Sequence, residues 1–255
     1  MKTVEFGTQN KEIVLLLHGG GFSWWNYREA AMLLQEDFHV VLPILDGHSG
    51  SDAPFVSIEE SARRLIAYID ETFGGQVAAI GGLSLGGQIG AEMLSQRPDI
   101  CRSALLESVL VKPMPLTHAL IGPAFGMSHG LIRKKWFSKL QFSYYGIKKE
   151  LFDDYYRDSC GLTRENLIAF LKANSDYRLK TSFSESTAKL LIAVGGREQR
   201  IMRNSARLLH EARPDSTLVT AKGFRHGELS LNHPQLYVRW LRELMADKLP
   251  NPENS

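Results

Sequence analysis

Short apolar blocks recur along the chain at Ile13–Leu17, His39–Leu42, Gln76–Ile80, Arg102–Leu106, Leu190–Val194 and Thr217–Thr220. Blocks of this length, with little polar alternation, are what a strand covered on both faces presents. The first five each run into a glycine-rich or polar turn, and amphipathic stretches separate them. Those stretches, Trp25–Glu36, Ser57–Phe73, Gln88–Gln96, Asn204–Ala212 and Pro234–Lys248, predict helices. Strands alternating with helices mean a mostly parallel central sheet with helices on both faces. Right-handed crossovers follow, as does a site at the carboxyl ends of the strands.

One region breaks this rhythm. Residues 113–186 offer no strand–turn–helix unit, only helix-like segments, and split the chain into a core of residues 1–112 and 187–255 with a helical cap inserted. Half of the 24 aromatic residues fall in the insertion, among them Phe125, Trp136, Phe137, Tyr144, Tyr145, Tyr155 and Tyr156. Each alone reads as part of the insertion's own small core. Together they predict an apolar ceiling over the carboxyl edge of the sheet.

Composition narrows the class without choosing it. With 255 residues, 44% hydrophobic and 23% charged, the chain suits one large α/β unit. A net charge of +2, with no basic run longer than Arg133-Lys134-Lys135, argues against a nucleic-acid partner. The apolar run near the amino terminus, Ile13–Leu17, is too short for a signal-peptide core or a membrane span, so a soluble, cytoplasmic protein is expected. Cys101 and Cys160 fit no CxxC or metal spacing, and Cys101 reads as a small buried hydrophobe. No HExxH pattern, P-loop lysine or GxGxxG after the first strand is present, so neither metal nor cofactor is expected.

The chemistry is concentrated in AAIGGLSLGGQIG, residues 78–90. Gly82-Leu83-Ser84-Leu85-Gly86 falls between a predicted strand and a predicted helix. So tight a turn strains its central residue, and small residues two before and two after it relieve the crowding. The Ser84 hydroxyl then stands at the mouth of a helix, where the Leu85 N–H and the positive helix end favour a developing negative charge. This G-x-S-x-G elbow resembles that of the α/β-hydrolase family, and the likeness extends over nearly all of the chain outside the insertion.

The resemblance implies an activating histidine and an orienting acid downstream of the serine, acid first. In TAKGFRHGELSLNHP, a short strand runs into His226-Gly227, similar to the family's last histidine loop. His233, beside Pro234, reads as a structural or capping residue. LLIAVGGREQR resembles the family's late strand, whose turn usually carries an aspartate; here Glu198 holds that place, one methylene longer. Glu107, ending the preceding strand, and Asp215 stay open as alternatives, whereas Glu228 reads as a loop charge.

His18-Gly19-Gly20-Gly21 is similar to the family's HGGG oxyanion loop, so Gly20, or Gly21 next to it, is expected to donate the second N–H beside Leu85. His18 reads as scaffold there, and Asp46 and His48 in LPILDGHSGSD as braces of the loops. Trp24, Trp25, Phe125 and Trp136 are expected to face the substrate pocket. The resemblance implies a serine hydrolase of small or medium, apolar carboxylic esters acting through an acyl-enzyme on Ser84. The same groups could instead open lactones, cleave thioesters or C–C bonds, or transfer acyl groups. A low-turnover ligand-binding receptor is the rival of a different class.

Overall fold

The strands come in chain order as β1 (Thr3–Phe6), β2 (Ile13–Leu17), β3 (His39–Pro43), β4 (Val77–Leu83), β5 (Cys101–Glu107), β6 (Lys189–Gly195) and β7 (Thr217–Ala221). This computed structural model describes the backbone of residues 1–248 and the side chains of all but residues 126–128 and 144, so Tyr144 lies outside the described side chains. The strands join into one sheet in the order β1-β3-β2-β4-β5-β6-β7. All pair in parallel except β1, which runs antiparallel along β3 from Thr3↔Pro43 to Phe6↔Val40. The six apolar blocks are the six parallel strands. β1 went unpredicted because a four-residue edge strand, with Glu5 exposed, carries too little apolar signal.

Successive residues of a strand point to opposite faces, and the two faces gather separate cores. Leu15, Leu17, Ile80, Ala104, Leu106 and Ile192 pack toward α2 (Ile58–Phe73), α3 (Leu85–Gln96) and α8 (Arg200–Ala212). Val14, Leu16, Ala79, Leu83, Leu105 and Leu191 pack toward α1 (Arg28–Leu34) and α10 (Pro234–Met245), where Trp25, Tyr237 and Trp240 are fully buried. The sheet is thus covered on both sides, as its blocks of unbroken apolar residues require. Helix α2 shows the local logic: the Ser57 hydroxyl accepts from Glu60 N at 3.1 Å to start it, and Gly74 ends it in a left-handed conformation.

Between β5 and β6 stand α4 (Pro115–Ser128), α5 (Lys135–Tyr145), α6 (Phe152–Gly161) and α7 (Arg164–Asp176), with no described strand among them. Most of the insertion's rings meet each other. Phe142 lies 5.4 Å from Phe152 and 5.2 Å from Tyr155, and Tyr155 reaches down to Phe22. The small helix α9 (Glu228–Asn232) precedes α10. No described helix is long and apolar enough to cross a membrane.

Candidate active site

The elbow is tighter than the sequence suggested. β4 continues through Gly81 and Gly82 to Leu83 and α3 begins at Leu85, so Ser84 alone makes the turn. Its backbone sits at φ 52°, ψ −112°, a region a residue with a Cβ enters only under strain. Two glycines are obligatory. A Cβ on Gly82 would lie 2.5 Å from the Gly86 carbonyl oxygen, and one on Gly86 would collide with the carbonyls of Leu17 and His18. Ser84 N donates to Glu107 O at 2.9 Å, which pins the bend to β5. Among the described residues the Ser84 hydroxyl makes no hydrogen bond.

His226 and Glu198 meet. His226 Nδ1 lies 2.8 Å from Glu198 Oε2, so the ring donates through Nδ1 and leaves Nε2 as an acceptor. Glu198 is buried and held from three sides, since Ser108 Oγ donates to Oε1 at 2.7 Å and Gly195 N at 2.7 Å. Burial pushes its carboxyl up, but the bond and charge of His226, with those two donors, outweigh it and hold the group below the usual carboxylate range. Arg203 Nη1 donates to the carbonyls of Gly196 at 3.1 Å and Glu198 at 2.6 Å and folds residues 196–198 back over α8.

The alternatives sit elsewhere. Glu107 accepts from Leu229 N at 3.1 Å and Ser230 N at 3.2 Å, capping α9 rather than touching the imidazole. Burial pushes its carboxyl up to about 7. Asp215 is exposed and paired with Arg213. His233 stacks on Phe224 at 4.5 Å, and Glu228 Oε2 accepts from Arg225 N at 2.7 Å. Ser108 and Arg203 escaped notice in the sequence. Ser108 directly follows a strand-end Glu and takes a positive φ of 55°, a signal visible only in the backbone.

Around the elbow, Gly20 N and Leu85 N have no acceptor among the described residues, and a Cβ on Gly20 would stand 3.5 Å from that of Leu85. Gly21 N is committed, donating to His48 Nε2 at 3.0 Å. His48 donates from Nδ1 to Asp46 O at 3.0 Å; His18 donates from Nδ1 to Gly19 O at 2.9 Å and accepts Leu45 N at 3.1 Å. Burial pushes both imidazoles down, His48 to about 4, so these rings are neutral struts with both nitrogens occupied. Asp46 accepts from Ser61 Oγ at 2.9 Å and fixes the same loop to α2.

Ser84 and His226 line a cavity of about 760 Å³ together with Leu110, Met114, Tyr145 and Met202. A smaller recess of about 160 Å³ joins Ser84 and His226 to Gly20, Phe22 and Phe170. The four expected pocket residues line neither space. Trp25 turns inward because its indole N–H needs a buried acceptor, which it finds in Asp158 Oδ2 at 2.8 Å. Trp24 lies under the Arg28 guanidinium at 4.9 Å. Phe125 packs against the core cluster on the α2 and α3 side of the sheet, and Trp136 is 63% exposed. The wall beside Ser84 instead mixes Leu110, Met114, Ile201 and Met202 with polar Ser143, Asn174, Arg197, Gln199 and Arg225.

A model of the alpha/beta hydrolase family matches residues 14–240. An AB hydrolase superfamily protein of Gibberella zeae is 31% identical over 127 residues, 47% of this chain and 43% of that one, so the match spans less than half of its length. Among solved structures, a thermophilic esterase from Thermogutta terrifontis superposes with a TM-score of 0.77 at 16% identity, covering 96% of this chain and 93% of that one. The enol-lactonase of Burkholderia xenovorans superposes with a TM-score of 0.81 at 14% identity, covering 96% of each.

Proposed function

The chain belongs to the alpha/beta hydrolase family, and from that premise we propose that it is a serine hydrolase of small carboxylic esters, with Ser84 as nucleophile, His226 as base and Glu198 as the orienting acid. The observation that carries the reading is the 2.8 Å contact between His226 and Glu198 at the wall of a cavity that Ser84 also lines. In this reading His226 Nε2 takes the Ser84 proton as Oγ attacks the acyl carbon. The free amides of Leu85 and Gly20 receive the oxyanion, since the Gly21 amide is already held by His48. The imidazolium then protonates the departing alcohol, and water repeats the cycle on the acyl-enzyme. The Ser84–His226 hydrogen bond is the one contact the reaction adds, as catalytic bonds often tighten only with substrate present.

Residues 113–186 serve as a cap in this reading, because Met114, Ser143, Tyr145 and Asn174 supply wall to the same cavity. Its volume suits a small or medium substrate. The reach of Glu198 to His226 favours turnover over a receptor role, for which the unusual acid was the sequence motive. Ser84→Ala is expected to abolish turnover of a short p-nitrophenyl ester and labelling by a fluorophosphonate, with Tm changed by only a few degrees. A variant that still turned over would overturn the assignment. Rates on matched lactone and thioester panels test the bond class, and a preference of about a hundredfold, roughly 2.7 kcal/mol of barrier, for either would displace esters.

A further inference from the structure

Each of the two proposed partners of Ser84 is immediately preceded in sequence by an arginine: Arg197-Glu198 and Arg225-His226. The fold makes these arginines neighbours. Arg197 N donates to Phe224 O at 2.9 Å, joining the two loops one residue before Arg225, and both arginines line the large cavity with Ser84. Neither guanidinium has a hydrogen bond or ion pair among the described residues. Most other arginines are paired: Arg28 with Asp154, Arg64 with Asp52, Arg97 with Asp70 and Arg242 with Asp37. Glu228, the nearest carboxylate in sequence to Arg225, is turned to the Arg225 backbone and to His233.

Among the described residues of this wall the one carboxylate, Glu198, is committed to His226. Two exposed guanidiniums with no carboxylate partner among the described residues therefore border the cavity that Ser84 lines. The Arg225 side chain also reaches the cap, where it lies along Gly146. A Cβ there would stand 3.3 Å from Nη1, and Gly146 is held at φ 68°. A guanidinium bridging the histidine loop and the cap beside a reacting serine is set to receive an anion, because planar forked donors bind carboxylates in charge-assisted pairs.

We propose that Arg197 and Arg225 form an anion subsite, and that the substrate is a small ester bearing a free carboxylate a few bonds from the scissile carbonyl. The inference rests on the reading of Ser84 and His226 as the reacting pair, and it replaces a wholly apolar substrate with one that is apolar only between its ester and its acid. Leu110, Met114, Ile201 and Met202 would then hold the short hydrocarbon between ester and acid.

Two ester pairs locate the acid. p-Nitrophenyl hydrogen glutarate against p-nitrophenyl butyrate places it on the acyl side, and 4-carboxyphenyl butyrate against phenyl butyrate on the alcohol side. In one pair the acid ester is expected to show at least about tenfold higher kcat/KM, and Arg197→Gln/Arg225→Gln to remove that ratio. Arg102→Gln, at the opposite end of β5, lowers the net charge by one and keeps the ratio. Calorimetry of free glutarate with the unmodified protein reads the subsite without turnover. Binding lost in the double variant supports the subsite even if no ester is cleaved, whereas an inert protein would sink the esterase reading alone. Equal rates within both pairs, or glutarate binding that survives the double substitution, would overturn the proposal.

Discussion

Ser84 pays for its position with a backbone that only its neighbours keep in place. Its positive φ persists because Gly82 and Gly86, lacking Cβ atoms, let the flanking backbones close around it and because Glu107 O anchors its amide. The acid is held as firmly, so its charge rather than its placement is what substitution can isolate. Glu198→Gln keeps the shape and removes the charge that stabilises an imidazolium. Its kcat is expected to fall by roughly 10²–10⁴-fold with little change in KM, measured by steady-state kinetics on the ester used for Ser84→Ala. The serine, histidine and acid of the proposal stand out in the sequence because each sits in a turn with its own local chemistry. The pocket wall does not, since Trp25 faces inward only because Asp158, 133 residues away, accepts its N–H. Arg197 and Arg225 were overlooked although each adjoins a residue that was singled out.

The elements show why a carboxylate can end β5 without joining the chemistry. Glu107 is buried beneath α9, where two backbone N–H groups reach it, and burial pushes its carboxyl up to about 7. The folded protein thus keeps a proton there that the unfolded chain releases near 4.5. Stability from this group is complete below about pH 4.5 and is lost as pH rises through about 7. Urea unfolding of the native protein and of Glu107→Gln at pH 5 and pH 8 checks the sign: native stability should fall relative to the variant at the higher pH. The strands and helices themselves were readable from blocks of apolar residues. Their ends were less so: β4 runs three residues past its predicted end and α3 starts three before its predicted beginning, which is how the turn shrinks to one residue. β1 escaped because pairing along β3, not its own pattern, makes it a strand.

Across the whole molecule, the sheet brings the loops after its six parallel strands to one edge, and the insertion supplies wall to the cavity there. Gln88 in the elbow helix donates to Leu110 O at 2.7 Å and Asn174 O at 3.0 Å and accepts from Asn174 Nδ2 at 3.0 Å, which ties the segment leading into the insertion and its helix α7 to α3. The aromatic wealth of the insertion serves this body more than the cavity. Trp136→Ala, on the outer surface, should leave kcat/KM within about twofold, as surface changes away from a site usually do. Trp25→Phe, which removes the indole N–H bond to Asp158 but leaves that carboxylate paired with Arg157, should cost about 1 kcal/mol in chemical denaturation. The parallel order also separates the proposed reacting groups widely along the polypeptide, with the elbow at residue 84 and its proposed partners at 198 and 226. In that reading the serine leaves the ribosome long before its partners, and the histidine loop follows all seven described strands. An amino-terminal fragment that stops short of β7 lacks that loop, so such a fragment is expected to be born inert.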